Sequence, residues 1–351
     1  MERPEARQSA GRRRWRIGAL VALLVILAGA GVAGYGVRWA LAPAAPESHS
    51  QVLLVVTRGM DVRGIATRLR QKSVIRSALA FRLLARRHGV GADLQAGTYA
   101  LSPSMTPEVI LQLMAQGHVT VRRVAVPEGW DAQQVARAVE AELPDAGAMA
   151  GALANTGLLQ SAHLPLPAAG VRDPMEGYLF PATYAFAPGT TATQVVRTML
   201  ARFNAAWTAT LRSAAAAEGL DTAQAVTLAS IVQREVSRPA DMRVVAGIYL
   251  RRLQQKLPLD ADPTVLYALG LLGQNTPLSA SQLTVDSPYN TYRYPGLPPG
   301  PICNPGLAAL QAVTQPTSGK AMYFLTTPSG QLVTADTLGQ QLANRKKYLG
   351  Y

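Results

Sequence analysis

Between Ile17 and Val37 the chain runs for 21 residues without a charge, IGALVALLVILAGAGVAGYGV. A helix of that length, at ~1.5 Å per residue, crosses a ~30 Å hydrocarbon core. Arg12, Arg13, Arg14 and Arg16 precede it, which keeps the N-terminal end on the cytoplasmic side and sends the rest of the chain across. The expected order is therefore a basic cytoplasmic tail (1–16), a transmembrane helix (17–37) and a Pro/Ala/Ser linker (38–50) that spaces a folded part from the bilayer. Ala40-Leu41-Ala42 would also suit cleavage of a signal peptide. The apolar run exceeds a signal core, so an uncleaved, single-pass inner-membrane anchor is the expectation.

Residues 51–120 read as a first small module. Val52 to Thr57 has the composition of a buried strand, DVRGIATRLR and SALAFRLLARRHG read as helices, and Gly97 to Leu101 as a second strand. Strand, helix, helix, strand resembles a LysM-type module, which in families carrying it binds the amino-sugar backbone of peptidoglycan. Thr106 with Pro107 after it starts a further helix, and a strand-like run follows from Val119 to Val126. One echo recurs after seventy residues: Val56, Gly59, Asp61 and Ile65 return as Val126, Gly129, Asp131 and Val135. Each copy is a strand, a glycine turn and an aspartate N-cap. Residues 121–170 are expected to connect this module to a second domain, 171–351.

The centre of that domain is Glu235. Leu228, Ile231 and Val232 form an apolar stripe at helical period, and Glu235 occupies its next position. Asp221 with Gln224 has the spacing of a capping box, and Pro239 stops the helix. A carboxyl group on an apolar face resists ionisation, so it can hold a proton near neutral pH and serve as a general acid. The competing reading is structural: Glu235 caps a neighbouring backbone or pairs with an arginine. Around it, DPMEGYLFPATYAF alternates Glu176, Tyr178, Phe180 and Tyr184, a pattern suited to a sugar-binding face or to an ordinary half-buried strand. A long helix is expected over Thr193 to Glu218. Another carries Met242, Val245, Ala246, Tyr249 and Leu253 on one face, and a loop with Asp260 and Asp262 follows it. Ser287 to Gly306 holds six Pro and three Gly in twenty residues, and reads as a rigid wall presenting Tyr289, Asn290, Thr291 and Tyr292.

Several chemistries are excluded by what the second domain lacks. All four histidines (His49, His88, His118, His163) precede it, so no Ser-His-Asp or Cys-His system is available there. Cys303 is the single cysteine, which removes an internal disulfide framework and a structural zinc site. No lysine stands three residues after a serine, and the second domain has no Walker loop or GxGxxG. Net charge is +13, with six Arg and two Glu in the first 16 residues. Such a basic balance fits nucleic acid, anionic lipid or an anionic polymer, and an apolar run behind the tail favours the last two.

Four motifs in order, EGYLFPATY (176–184), ASIVQRE (229–235), DPTVLY (262–267) and YNTY with GLPPGPICNPG (289–306), resemble the YceG-like endolytic murein transglycosylases. AGTYALSPSMTPEVILQLMAQG (96–117) resembles that family's membrane-proximal LysM-like region. The resemblance implies an α+β protein: a single N-terminal transmembrane helix, a small LysM-like βααβ module and a mainly helical α+β catalytic domain. It implies Glu235 as catalytic residue, with Glu176, Tyr178, Asp262, Thr264, Tyr289, Asn290, Thr291 and Tyr292 as substrate-binding. Its implied partners are peptidoglycan glycan strands, the bilayer through residues 17–37 and peptidoglycan synthases, with no nucleic acid, cofactor or metal. The chain departs from the family at Gln233, Ala182, Asp260-Ala261, Leu332 and Gln341. The implied reaction protonates the MurNAc-GlcNAc glycosidic oxygen and leaves a 1,6-anhydro end, using one Glu as acid and then base. A two-carboxylate hydrolase and an inactive peptidoglycan-binding scaffold are the alternatives.

Overall fold

A computed structural model of the chain describes residues 29, 31, 34–48, 52–90, 94–117, 119–274 and 277–350. Most of the apolar run 17–37 lies outside them. Among the described residues no helix is long and apolar enough to cross a membrane. The fold is α+β, in two compact units that divide between Val121 and Arg122.

The first unit contains β1 (Val52–Val56), α1 (Val62–Gln71), α2 (Ala78–Arg87), β2 (Gly97–Leu101) and α3 (Pro107–Ala115). β1 and β2 pair antiparallel, Val52 opposite Leu101 and Val56 opposite Gly97. The sequence reads β1 as buried throughout, yet only Leu54 and Val56 enter the core while Leu53 and Val55 face out. A two-stranded sheet has helices on one face only, so an unbroken apolar run cannot bury both of its sides. Ile65, Leu69, Phe81, Tyr99, Ile110 and Met114 complete that core.

The second unit starts with β3 (Arg122–Val126), α4 (Ala132–Glu142) and the short α5 (Met149–Leu153) and α6 (Gly157–Ser161). Then come β4 (Ala182–Phe186), α7 (Ala192–Ala206), α8 (Ala209–Ala217), α9 (Thr222–Glu235), α10 (Pro239–Gln254) and α11 (Asp262–Ala268). α12 (Leu307–Thr314), the hairpin β5 (Tyr323–Thr326) and β6 (Leu332–Ala335), and α13 (Leu338–Leu349) complete it. β3 pairs with β4, Arg122 opposite Phe186 and Val126 opposite Ala182, so residues 122–170 lie in the same unit as 171–351.

Three local readings change. The helix expected over Thr193–Glu218 is two helices, because the buried Trp207 leaves helical backbone to reach the core and Thr208 caps the next helix through the Leu211 N–H at 3.3 Å. Within 173–186 only Ala182–Phe186 is strand, and residues 174–178 are turns. The loop around Asp260 and Asp262 becomes α11 at Asp262, with Pro263 in its first turn, where proline's missing N–H costs nothing.

The strand-to-helix echo holds and extends. Asp61 and Asp131 both cap, accepting from Gly64 N at 2.8 Å and Gln134 N at 2.7 Å, with Gly59 and Gly129 at φ +85° and +80°. Phe186, Gly189 and Thr191 repeat the spacing before α7, with Gly189 at φ +80°. Each turn needs a left-handed residue, which glycine supplies without a Cβ clash.

α12 packs against both α9 and α10. On α10, Gly247 lets the backbone carbonyl of Thr317 pass closer than a Cβ would allow. In an exposed helix Gly→Ala stabilises by ~1 kcal/mol, but here the methyl meets backbone that cannot yield. Gly247→Ala is expected to destabilise by ~1–3 kcal/mol, as typical overpacking does, measured as a lowered denaturant midpoint.

Candidate active site

Glu235 is the last residue of α9. The helix starts at the anticipated capping box, Gln224 N donating to Asp221 Oδ1 at 2.8 Å and Gln224 Oε1 accepting from Asp221 N at 2.9 Å. It buries every residue from Ala225 to Val232. That helix carries Glu235 to the wall of a cavity of about 480 Å³, shared with Tyr249 and Arg252 of α10, Asp260, Asp262, Tyr292, Phe324 to Thr326, and Gln341 and Arg345 of α13. A second cavity of about 400 Å³ is walled by residues 233–238, Asp241, Thr326 and Gly330. Glu235 and Thr326 belong to both, so the carboxyl stands where the two halves of a groove meet.

The buried Tyr249 hydroxyl donates to Glu235 Oε1 at 2.7 Å, and its ring meets Phe324 edge-on at 5.8 Å. Burial raises the Glu235 pKa to about 7; the Tyr249 hydrogen bond opposes that rise and the charge of Asp262 adds to it. The group thus exchanges a proton near neutrality, the condition a general acid requires. Neighbouring carboxylates are already engaged. Asp262 Oδ1 accepts from the Tyr292 hydroxyl at 2.5 Å, and Asp260 pairs with Arg252. Asp260 sits at φ +52°, a left-handed conformation unusual for a residue with a Cβ.

Of the residues the sequence singles out, Glu235, Asp262 and Tyr292 meet on the cavity wall. Glu176 does not: it is 1% exposed, and both its oxygens accept from Ala132 N, at 3.1 and 3.0 Å, at the start of α4. Asn304 Nδ2 and the Tyr267 hydroxyl add bonds at 3.3 and 3.4 Å, and burial raises its pKa well above the carboxylate range. The capping role considered for Glu235 is thus performed by Glu176. Tyr178 is also core, edge-on to Phe203 at 5.1 Å. Thr264 and Thr291 are buried and share a 2.9 Å hydroxyl contact, with Ala261 N donating to Thr291 Oγ1 at 3.1 Å. Buried Asn290 donates to Leu283 O and Val285 O at 2.9 and 2.8 Å, and Tyr289 packs on Tyr267 at 4.9 Å. Glu176 and these five residues do not line the cavity. Tyr249, Phe324 and Arg345 carried no motif, although Tyr249 lies on the apolar face read for its helix; Gln341, one of the departures from the family pattern, also lines the cavity.

The proline-rich loop is fastened to α9 itself. Ile302 N donates to Ser230 Oγ at 3.0 Å, Gly306 N to Gln233 Oε1 at 2.9 Å, and the Cys303 thiol to Ser230 O at 3.2 Å. Gln233, one of the departures from the family pattern, therefore has a structural task that an amide performs.

Fold and site together define a class: an α+β protein that holds a carboxyl with a raised pKa where two adjoining cavities meet. A family model described as the YceG-like family matches residues 54–347, and the chain belongs to that family. It is 31% identical over 320 residues to the endolytic murein transglycosylase of Bacillus subtilis (strain 168), covering 88% of each chain. Against the endolytic murein transglycosylase of Streptococcus pneumoniae serotype 2 it is 30% identical over 337 residues, 88% of this chain and 60% of the relative's length. A crystal structure of a YceG-like protein from Listeria monocytogenes superposes with a TM-score of 0.58 at 29% identity, covering 85% of this chain and all of that one.

Two measurements follow from the electrostatics. Because the folded state holds the Glu235 proton up to about pH 7 while the unfolded chain releases it near the ordinary carboxylate range, wild-type stability falls with rising pH across that window. Glu235→Gln removes the loss and is expected to be more stable above pH 7 by on the order of 1–3 kcal/mol, with the difference vanishing near pH 4; denaturant midpoints across pH test this. The second is a carboxyl-carbon NMR titration of Glu235: Tyr249→Phe raises its pKa and Asp262→Asn lowers it, opposite signs that a nonspecific perturbation would not produce.

Proposed function

We propose that the protein is a membrane-anchored endolytic lytic transglycosylase of peptidoglycan, with Glu235 as its catalytic acid and base. The observation that carries this reading is one carboxyl, its pKa raised to about 7, at the junction of a two-part groove. Family membership, and the printed activity of its relatives, supply the substrate class. A strand crossing both halves of the groove brings an internal glycosidic bond to Glu235, which is what endolytic cleavage requires.

In the proposed reaction the protonated Glu235 gives its proton to the glycosidic oxygen between N-acetylmuramic acid and N-acetylglucosamine as that bond to the anomeric carbon breaks. The muramic 6-hydroxyl oxygen forms the new bond to the same carbon, and the Glu235 carboxylate takes its proton. Atoms balance without water and the residue ends protonated. An intramolecular nucleophile is already in place, so no second carboxylate is needed. The Tyr249 bond fixes one carboxyl oxygen and leaves the other for the substrate. Residues 17–37 would anchor the chain in the inner membrane with the bulk periplasmic, and 51–120 would act as a LysM-like module.

Asp262 on the same wall keeps two-carboxylate hydrolysis as the second reading. Mass spectrometry of uncrosslinked glycan strands treated with the full chain separates them. Anhydro-muramic ends are expected, with Glu235→Gln slower by ~10²–10⁴-fold and the wild-type rate declining as pH rises through about 7. Reducing ends would replace the transglycosylase by a hydrolase. Strands bound but uncut by both proteins would make it a scaffold.

A further inference from the structure

α2 buries Phe81, Leu84 and Ala85 in the first unit's core, yet leaves Leu79 and Leu83, one turn apart, 61% and 58% exposed. Arg82, Arg86 and Arg87 surround this ridge. On one side lies a cavity of about 400 Å³ whose walls include Val37, Ala40 and Leu41 as well as Leu79, Leu83 and Arg87. The ridge therefore stands beside the helical segment 34–41, which directly continues the uncharged run 17–37. That segment exposes Tyr35 and Trp39, four residues apart, the two side chains enriched where a membrane meets water. Arg76 holds Trp39, its guanidinium 5.3 Å from the ring centre and its Nη1 donating to Trp39 O at 3.4 Å.

We propose that the Leu79–Leu83 ridge and its arginines rest on an anionic lipid surface, beside the point where the chain leaves the bilayer; this rests on the anchor reading given under Proposed function. Aliphatic tips gain by entering the boundary between headgroups and acyl chains, and arginines around them gain by meeting phosphates. Charge supports that occupant, since residues 38–121 contain ten Lys or Arg against four Asp or Glu. A glycan strand fits this face less well. Leucine tips offer no hydrogen bonds to sugar hydroxyls and no flat ring on which a sugar can stack. Held in this way, the first unit would have a fixed orientation on the membrane and would not swing freely on its linker.

The test uses the full chain carrying Leu83→Cys with an environment-sensitive fluorophore; Cys303 is buried and stays unlabelled. The protein is reconstituted in phosphatidylethanolamine–phosphatidylglycerol vesicles whose acyl chains are brominated near the headgroup, and alkaline carbonate extraction is run in parallel. Expected are blue-shifted emission and quenching by the bromines, both diminished by adding Leu79→Glu and by replacing phosphatidylglycerol with phosphatidylcholine. Unquenched emission from protein that resists extraction would overturn the docking while leaving the anchor intact. Release by carbonate would overturn the anchor, and quenching that persisted on freshly added anionic vesicles would still support the ridge as a lipid-binding face. Emission that ignored lipid but shifted on addition of soluble glycan strands would give the face to peptidoglycan.

Discussion

Burying an irregular loop is costly unless each of its backbone N–H groups finds a partner. The segment Ser287–Gly306 meets that demand by drawing on the helix that bears Glu235. Ser230 and Gln233 accept from Ile302 and Gly306, and the thiol of Cys303 returns a bond to α9. At the next position Asn304 accepts from Leu179 N at 2.9 Å, donates to Trp130 O at 2.9 Å and reaches Glu176. One buried polar network thus locks the loop to α9, to the turn before α4 and to the segment before β4. Position and rotation of α9, and with them the aim of Glu235, depend on it. Fully partnered networks of this kind favour a single arrangement over many near-equivalent packings.

Two glutamates in this domain, Glu176 buried and Glu235 partly so, illustrate how surroundings divide labour between identical groups. Both are pushed upward by burial. Glu176 is enclosed, its oxygens committed to the first turn of α4, to Asn304 and to Tyr267, and it lines neither half of the groove. Glu235 has one fixed partner, Tyr249, and opens onto both halves of the groove. A proton on the first is structural, whereas a proton on the second is available to a ligand. What separates an acid from a cap is therefore access, since desolvation acts on both.

Local patterns made much of this legible in advance. The capping box at Asp221, the stop before Pro239 and the stripe leading to Glu235 are near-neighbour relations, and near neighbours are fixed by helical geometry. Glycine turns with an Asp or Thr cap are equally local and recur wherever a strand hands over to a helix. Less legible was the break at Trp207, where burial of one indole outweighed the continuing helix propensity of its neighbours. Alternation across Glu176, Tyr178 and Tyr184 looked like one face of a strand because polarity in sequence does not say which side of a residue is covered.

The sequence by itself determined the motifs shared with the YceG-like family, the helix that ends at Glu235 and the exclusion of histidine chemistry from the second domain. Each follows from composition or from spacings of a few residues, where covalent geometry leaves little freedom. Tertiary structure alone decided which of the polar motif residues face the cleft and which do not. It also recruited Tyr249 from the next helix, and Phe324 and Gln341 from the C-terminal hairpin and helix, to the wall around the acid. Desolvation, the cause of the raised Glu235 pKa, is a property of everything packed around a group, and residues up to a hundred positions away contribute to it.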